Sequence, residues 1–297
     1  MARWAVVLVL VVLNANAAQG WWVRGHGIVT RAAVASLPER MPGFFRAGGD
    51  AIAHYVWDPD LARNRGTPIL RRAEVPEHYF NPERLTEASL PADRNGLLES
   101  CAKQGIAPDK VGFLPYSVAE WTQRLAVAFA EHRRWPDNRH IRQKCLMYAG
   151  FVANYAQDLC QPLHVTMYFN GRPGPDGAIQ PSGIHYKVDD LIRRIDPAPG
   201  ALASGQKPVV LDSLMSGIAA QIENSRSLLD AVYGLEGRLP PAGEGEWTPA
   251  PDVVAFGMER AREAVMFTAS LYLTAWHLSE GLEFEDWVVR ADSRDTE

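Results

Sequence analysis

The stretch Asn154-Tyr-Ala-Gln-Asp-Leu-Cys-Gln-Pro-Leu-His164 places a carboxylate, Asp158, and an imidazole, His164, six residues apart with Gln161-Pro162 between them. Proline stops a helix, because it lacks the N–H of the next rung and its ring collides with the preceding turn. The acid therefore lies near a helix end, and the histidine returns from beyond the break. Two arrangements fit: a solvated acid beside a packed histidine, or two metal ligands held from two directions. His185 and Asp189 form a second pair one helical turn apart. That spacing puts both side chains on one face, where they can clamp an ion or form a solvated pair. Further donors are His26 after Gly25, His78 in Pro-Glu-His-Tyr-Phe-Asn, and the acids of the Asp58-Pro59-Asp60 turn. Nitrogen and oxygen ligands without thiolate suit zinc in a hydrolytic site.

Positioning such donors falls to helices. Apolar residues recur at helical spacing over 26–36, 117–133, 139–160, 184–195, 209–231 and 252–281. Ser117 and Glu120 have the spacing of a capping box at the start of the second of these. No run alternates apolar and polar residues well enough to be a long strand. Gly- and Pro-rich loops are expected at 66–68, 169–183 and 234–251. The expectation is one all-α domain, a helical bundle with long Gly/Pro-rich loops and a metal cleft between helices. The apolar stripe of 252–281 reads as core, with a dimer face as the weaker reading.

The 297 residues carry a net charge of −5, so no basic surplus is available to grip a long polyanion by charge alone. Residues 1–20 have Arg3, an apolar run from Trp4 to Leu13 and a small-residue end at Ala18 and Gly20. That is the layout of a secretory signal, with an apolar run about half as long as a membrane span needs. Cleavage after Gly20 would leave Trp21 as the first residue of an exported chain, secreted or periplasmic. Loss of Arg3 would take the charge from −5 to −6. Three cysteines, Cys101, Cys145 and Cys160, allow at most one internal pair. Cys145 and Cys160 lie roughly 20 Å apart along one expected helix, too far to bridge, so a disulfide would have to use Cys101.

Taken in order, several motifs resemble the superfamily of zinc-dependent phospholipases C and fungal single-strand-specific nucleases. They are WWVRGH at 21–26, DPD at 58–60, EHYF at 77–80, NYAQDLCQPLH at 154–164 and GIHYKVD at 183–189. The resemblance implies up to three zinc ions in a cleft of a helical bundle. It implies that the free amine and carbonyl of Trp21, with His26 and Asp158, hold one ion. His164, His185 and Asp189 would hold a second. An acid of the DPD turn, His78, Asn154 and Asp158 would hold a third, with Asp158 bridging two ions. Asp60 is favoured over Asp58 because Arg63, three residues on, echoes a family pattern. One departure stands out: Asn154 replaces the usual histidine, and an amide oxygen is the poorer zinc ligand. His54 is a nearby substitute donor.

The implied reaction is phosphodiester hydrolysis by a metal-activated water, with Asp60 and Asp158 as the acids of the centre. The implied substrate is single-stranded nucleic acid or phospholipid. Tyr79, Phe80, Tyr168 and Phe169 flank ligand positions and are candidate base platforms. Arg24 stands where a choline-binding relative carries an acid, which argues against a choline pocket. The 20 residues between His164 and His185 are a candidate cleft mouth. The alternative is an exported zinc-binding protein without turnover.

Overall fold

The computed structural model describes residues 23–86, 89–174, 178–179, 182–241 and 243–288. The leader and Trp21 lie outside the described residues. Four long helices build the core: α1 (Val23–Ala35), α4 (Leu114–Arg134), α5 (Arg139–Leu159) and α8 (Pro251–Leu278). Between α1 and α4 come the short helices α2 (Asp58–Ala62) and α3 (Pro68–Glu74); α6 (Ile184–Asp189) and α7 (Leu214–Ser227) follow α5. Among the described residues there is no strand, only an isolated bridge between Pro173 and Ile179. The fold is all-α.

Helices α4 and α5 pack along their lengths as an antiparallel pair, and α8 lies against both. Leu125, Phe129, Val152, Val265 and Tyr272 are fully buried where they meet. The stripe of α8 is thus core. Asn138 starts α5 by accepting from the backbone N–H groups of His140 and Ile141 at 3.0 and 3.2 Å. One glycine decides an approach. A Cβ on Gly150 of α5 would lie 2.6 Å from Cβ of Tyr55 and 2.9 Å from the backbone nitrogen of Val56. Its absence lets the Gly49–Tyr55 helix press onto α5 and carry α2 alongside.

Several sequence expectations need correction. The capping box at Ser117 is not formed. The helix begins three residues earlier at Leu114, with Pro115 in its first turn. Proline suits that turn because its missing N–H would have no partner there. Ser117 instead donates to Glu77 at 2.5 Å, and Glu120 pairs with Arg94 at 2.7 Å. The helix expected over 184–195 is broken into α6 and Leu191–Ile195, with the buried Asp190 at the junction held by Arg193. Residues 209–213 are not helical, because the N–H groups of Val209 and Leu211 bond to hydroxyls of Ser270 and Thr274 on α8. Cys101, Cys145 and Cys160 are buried thiols without a disulfide.

Candidate metal centre

The last two turns of α5 carry the centre. Asn154, Gln157 and Asp158 are wholly buried on its inner face. The chain then breaks at Pro162 into a 3-10 turn that ends in His164. Two backbone contacts zip this turn to the 3-10 turn Val75–His78. The Phe80 N–H donates to the His164 carbonyl at 2.8 Å, and Nδ1 of His164 lies 2.6 Å from the His78 carbonyl. A carbonyl only accepts, so Nδ1 carries a hydrogen and Nε2 is the nitrogen left for a proton or an ion.

That nitrogen faces a carboxylate. Nε2 of His164 lies 3.5 Å from Oδ1 of Asp189, and Nε2 of His185 lies 3.3 Å from Oδ2 of the same acid. His164, His185 and Asp189 offer ligand atoms within 4.8 Å of one another, and all three residues are buried. Gln161 donates its amide to Oδ1 of Asp189 at 2.6 Å, which fixes the carboxylate. Nε2 of His164, both ring nitrogens of His185 and Oδ2 of Asp189 have no hydrogen-bond partner. Buried polar atoms without partners are costly, and a divalent cation among these donors would satisfy them. The residues fit such an ion.

A second group surrounds Asp158. His26, fully buried on α1, places Nδ1 2.8 Å from Oε1 of Gln157, whose amide nitrogen donates to the Thr30 hydroxyl at 2.9 Å. Gln157 is thereby oriented oxygen-first, and Nε2 of His26 is the free nitrogen, 3.5 Å from Oδ1 of Asp158. The other carboxylate oxygen lies 2.9 Å from Nδ1 of His78. Glu74 stands 3.2 Å from Nε2 of His78 and accepts from the Tyr155 hydroxyl at 2.5 Å. Nε2 of His26, Nε2 of His78 and Oδ1 of Asp158 are again without hydrogen bonds.

Electrostatics follow from this crowding. Burial pushes the Asp158 carboxyl up, but the charge of His164 and the facing rings of His26 and His78 outweigh it and hold the group well below the usual range. Burial works against protonated His164, yet Asp158 and Asp189 raise it to about 9. For His185 burial wins, and its pKa falls to about 4. Burial also opposes protonation of His78, but the nearby carboxylates of Asp158 and Glu74 leave the pKa raised.

The DPD turn forms α2 and lies beside α5. The Asp60 side chain is 7% exposed, pairs with Arg63 and accepts from Nδ2 of Asn154 at 3.1 Å. Asp58 is only partly buried. Asn154 also donates to the Val56 carbonyl at 2.9 Å, while its own oxygen is buried and unpartnered. His54 is exposed and rests against Tyr55. Arg24 points away into a surface pair with Asp196 at 2.8 Å.

A cavity of about 340 Å³ opens onto these groups. His78, His164 and His185 reach into it. Arg63, Arg71, Arg84 and Lys110 make its walls cationic. Tyr79 and Phe169 also line it, and the Phe169 ring lies 5.4 Å from that of His185. Phe80, by contrast, is core at 2% exposure, because its backbone clamps His164 and its ring turns inward. Tyr168 does not line the cavity; its carbonyl accepts from the Tyr233 hydroxyl at 2.9 Å. Sequence reasoning missed Glu74, Gln157 and Gln161 as partners of the donors. Glu74 could have been found from its spacing four residues before His78.

No protein-family model matches the chain, and no curated protein matches it. Solved structures with a related chain course include an alpha toxin of Clostridium absonum, at TM-score 0.42 and 10% identity over 91% of this chain and 67% of that one. Another is an alpha toxin of an avian strain of Clostridium perfringens, at TM-score 0.38 and 12% identity over 90% of this chain and 66% of that one. This chain spans about two thirds of the length of each.

Proposed function

We propose that this chain is an exported zinc-dependent phosphodiester hydrolase. The observation that carries the reading is the meeting of two buried His/Asp groups, with unengaged ligand atoms, at one cation-walled cavity. His164, His185 and Asp189 would hold one ion. Asp158 with His26 and the amine of Trp21, freed by cleavage after Gly20, would hold another. Asp60, His78, Asn154 and Asp158 form the third candidate set. There Glu74 adds a carboxylate, and the amide nitrogen of Asn154 is already spent on Val56 and Asp60.

Bound zinc supplies Lewis acidity and a water that ionises near neutral pH. The protein's own groups do the rest. Arg63 reaches both Asp60 and the cavity, where it can meet a phosphoryl oxygen. Gln157 and Gln161 keep the His26 ring and the Asp189 carboxylate in their binding orientation. No protein nucleophile is required.

The test is zinc analysis of the exported protein together with hydrolysis of bis(4-nitrophenyl) phosphate. Bound zinc, activity abolished by chelation and activity restored by zinc support the reading. A zinc-loaded protein no faster than its His164→Ala/Asp189→Ala variant would overturn it and leave zinc binding without turnover. Amino-terminal sequencing that begins at Trp21 supports the leader; an intact Met1 refutes it.

A further inference from the structure

Helix α3 is seven residues long and buries none of its apolar side chains. Ile69 is 88% exposed and Leu70 48%, and Leu61 on neighbouring α2 is 62% exposed. Thr67, Pro68 and Ala73 complete one apolar surface with Ile69 and Leu70. A short helix whose apolar side chains face water gains little hydrophobic stabilisation from the bundle, so this apolar ridge is open to a partner. Both helices face two ways. Asp60 of α2 lies at the centre while the next residue, Leu61, points out. Arg71 of α3 lines the cavity while Ile69 and Leu70 point out.

The charge around the ridge selects the partner. Arg65 and Arg72 are exposed beside it. Arg71, Arg84 and Lys110 stand at the cavity wall, and none of these three forms an ion pair with a carboxylate among the described residues. Aliphatic tips fringed by cations match a lipid interface: the tips enter the acyl boundary, and the cations meet anionic headgroups. Bases of a nucleic acid would need aromatic faces to stack on, and the ridge has none. We propose that α2 and α3 dock this protein on an anionic lipid surface, with the cavity mouth beside the headgroups. The proposal builds on the phosphodiester reading and deepens it toward phospholipid.

Vesicle sedimentation tests it, using the whole chain with pure phosphatidylcholine vesicles and with vesicles containing phosphatidylglycerol. Hydrolysis of bis(4-nitrophenyl) phosphate is followed in parallel, so the centre and the docking surface are read apart. The protein should sediment with the anionic vesicles and be released as salt rises. Ile69→Ser/Leu70→Ser should weaken binding on the order of tenfold or more, with an unchanged circular dichroism spectrum. Arg72→Gln should weaken it by a smaller factor. Equal binding by variant and wild type overturns the proposal, as does a wild type that stays in solution with both vesicles. A dimer that the double variant splits, without vesicle binding, assigns the ridge to a second copy and also overturns it. So does a single-stranded oligonucleotide bound through the same residues. Vesicle binding without diester hydrolysis would refute the enzyme and leave the docking intact.

Discussion

Gln157 presents its amide oxygen 2.8 Å from Nδ1 of His26 across the α1–α5 interface. Its amide nitrogen is anchored on Thr30, so the ring of His26 is held in one tautomer with Nε2 toward Asp158. Gln157→Leu removes that orientation. Zinc affinity should fall about 10- to 100-fold, measured by competition with a chromophoric chelator. The unpaired Thr30 hydroxyl and His26 N–H should cost about 1–3 kcal/mol in urea unfolding.

His164, His185 and Asp189 are three donors, the fewest that make a firm site. Asp189→Ala should therefore lower the zinc content of the purified protein by one ion per chain. Diester hydrolysis should drop on the order of a thousandfold. Undiminished zinc by elemental analysis would remove this group from the centre.

The metal-free protein should be most stable near pH 6.5. His164 is raised from 6.5 to about 9, so its contribution is complete below 6.5 and lost as pH rises through 9. At about 1.4 kcal/mol per pH unit the change is of order 3 kcal/mol. His185 is lowered from 6.5 to about 4, so the unfolded chain takes up its proton first and stability falls from pH 6.5 toward 4. Asp158, held low, adds to the loss on the acid side once pH falls below its ordinary 3.8. Thermal melts in chelator from pH 4 to 9.5 should trace a dome. Zinc binding near pH 7.5 should release a proton from His164, seen as a buffer-dependent heat in calorimetry.

Asn154→His restores an imidazole one turn before Asp158. Zinc retained after dialysis should rise, and activity with it. The larger ring in a fully buried position should cost about 1–3 kcal/mol of stability. If neither zinc nor hydrolysis changes, Asn154 is only a clamp on Val56 and Asp60.

Gly150→Ala is expected to be more damaging than its size suggests. The new methyl meets the backbone of Tyr55 and Val56, which cannot rotate away as a side chain can. A loss of about 1–3 kcal/mol should come with weaker zinc retention, because the same contact seats α2 against Asn154 and therefore Asp60.

The long helices were legible because their burial follows one stripe, and periodicity reports that directly. Asn138 and Pro162 marked the two ends of α5 with chemistry that acts locally. Short helices such as α2 and α3 left no periodic trace, since five or seven residues cannot complete two turns of a stripe. Ser117 misled because its hydroxyl has a distant partner, Glu77, invisible to local spacing. At the centre, the donor residues stood out by type, while Gln157 reaches His26 only across 131 positions of chain, a contact that local spacing does not show.

The groups around Asp158 come from four distant stretches: His26, His78, Asp158 itself with His164, and His185 with Asp189. No fragment of the chain owns a complete set. The ion that His26 and Asp158 would share can be captured only after the first helix has docked on the fifth, so its loading is a checkpoint of assembly. Once seated, it would tie both ends of the connectivity together like a rivet. A protease probing the protein would then read metal starvation as looseness, and clear the empty molecules first.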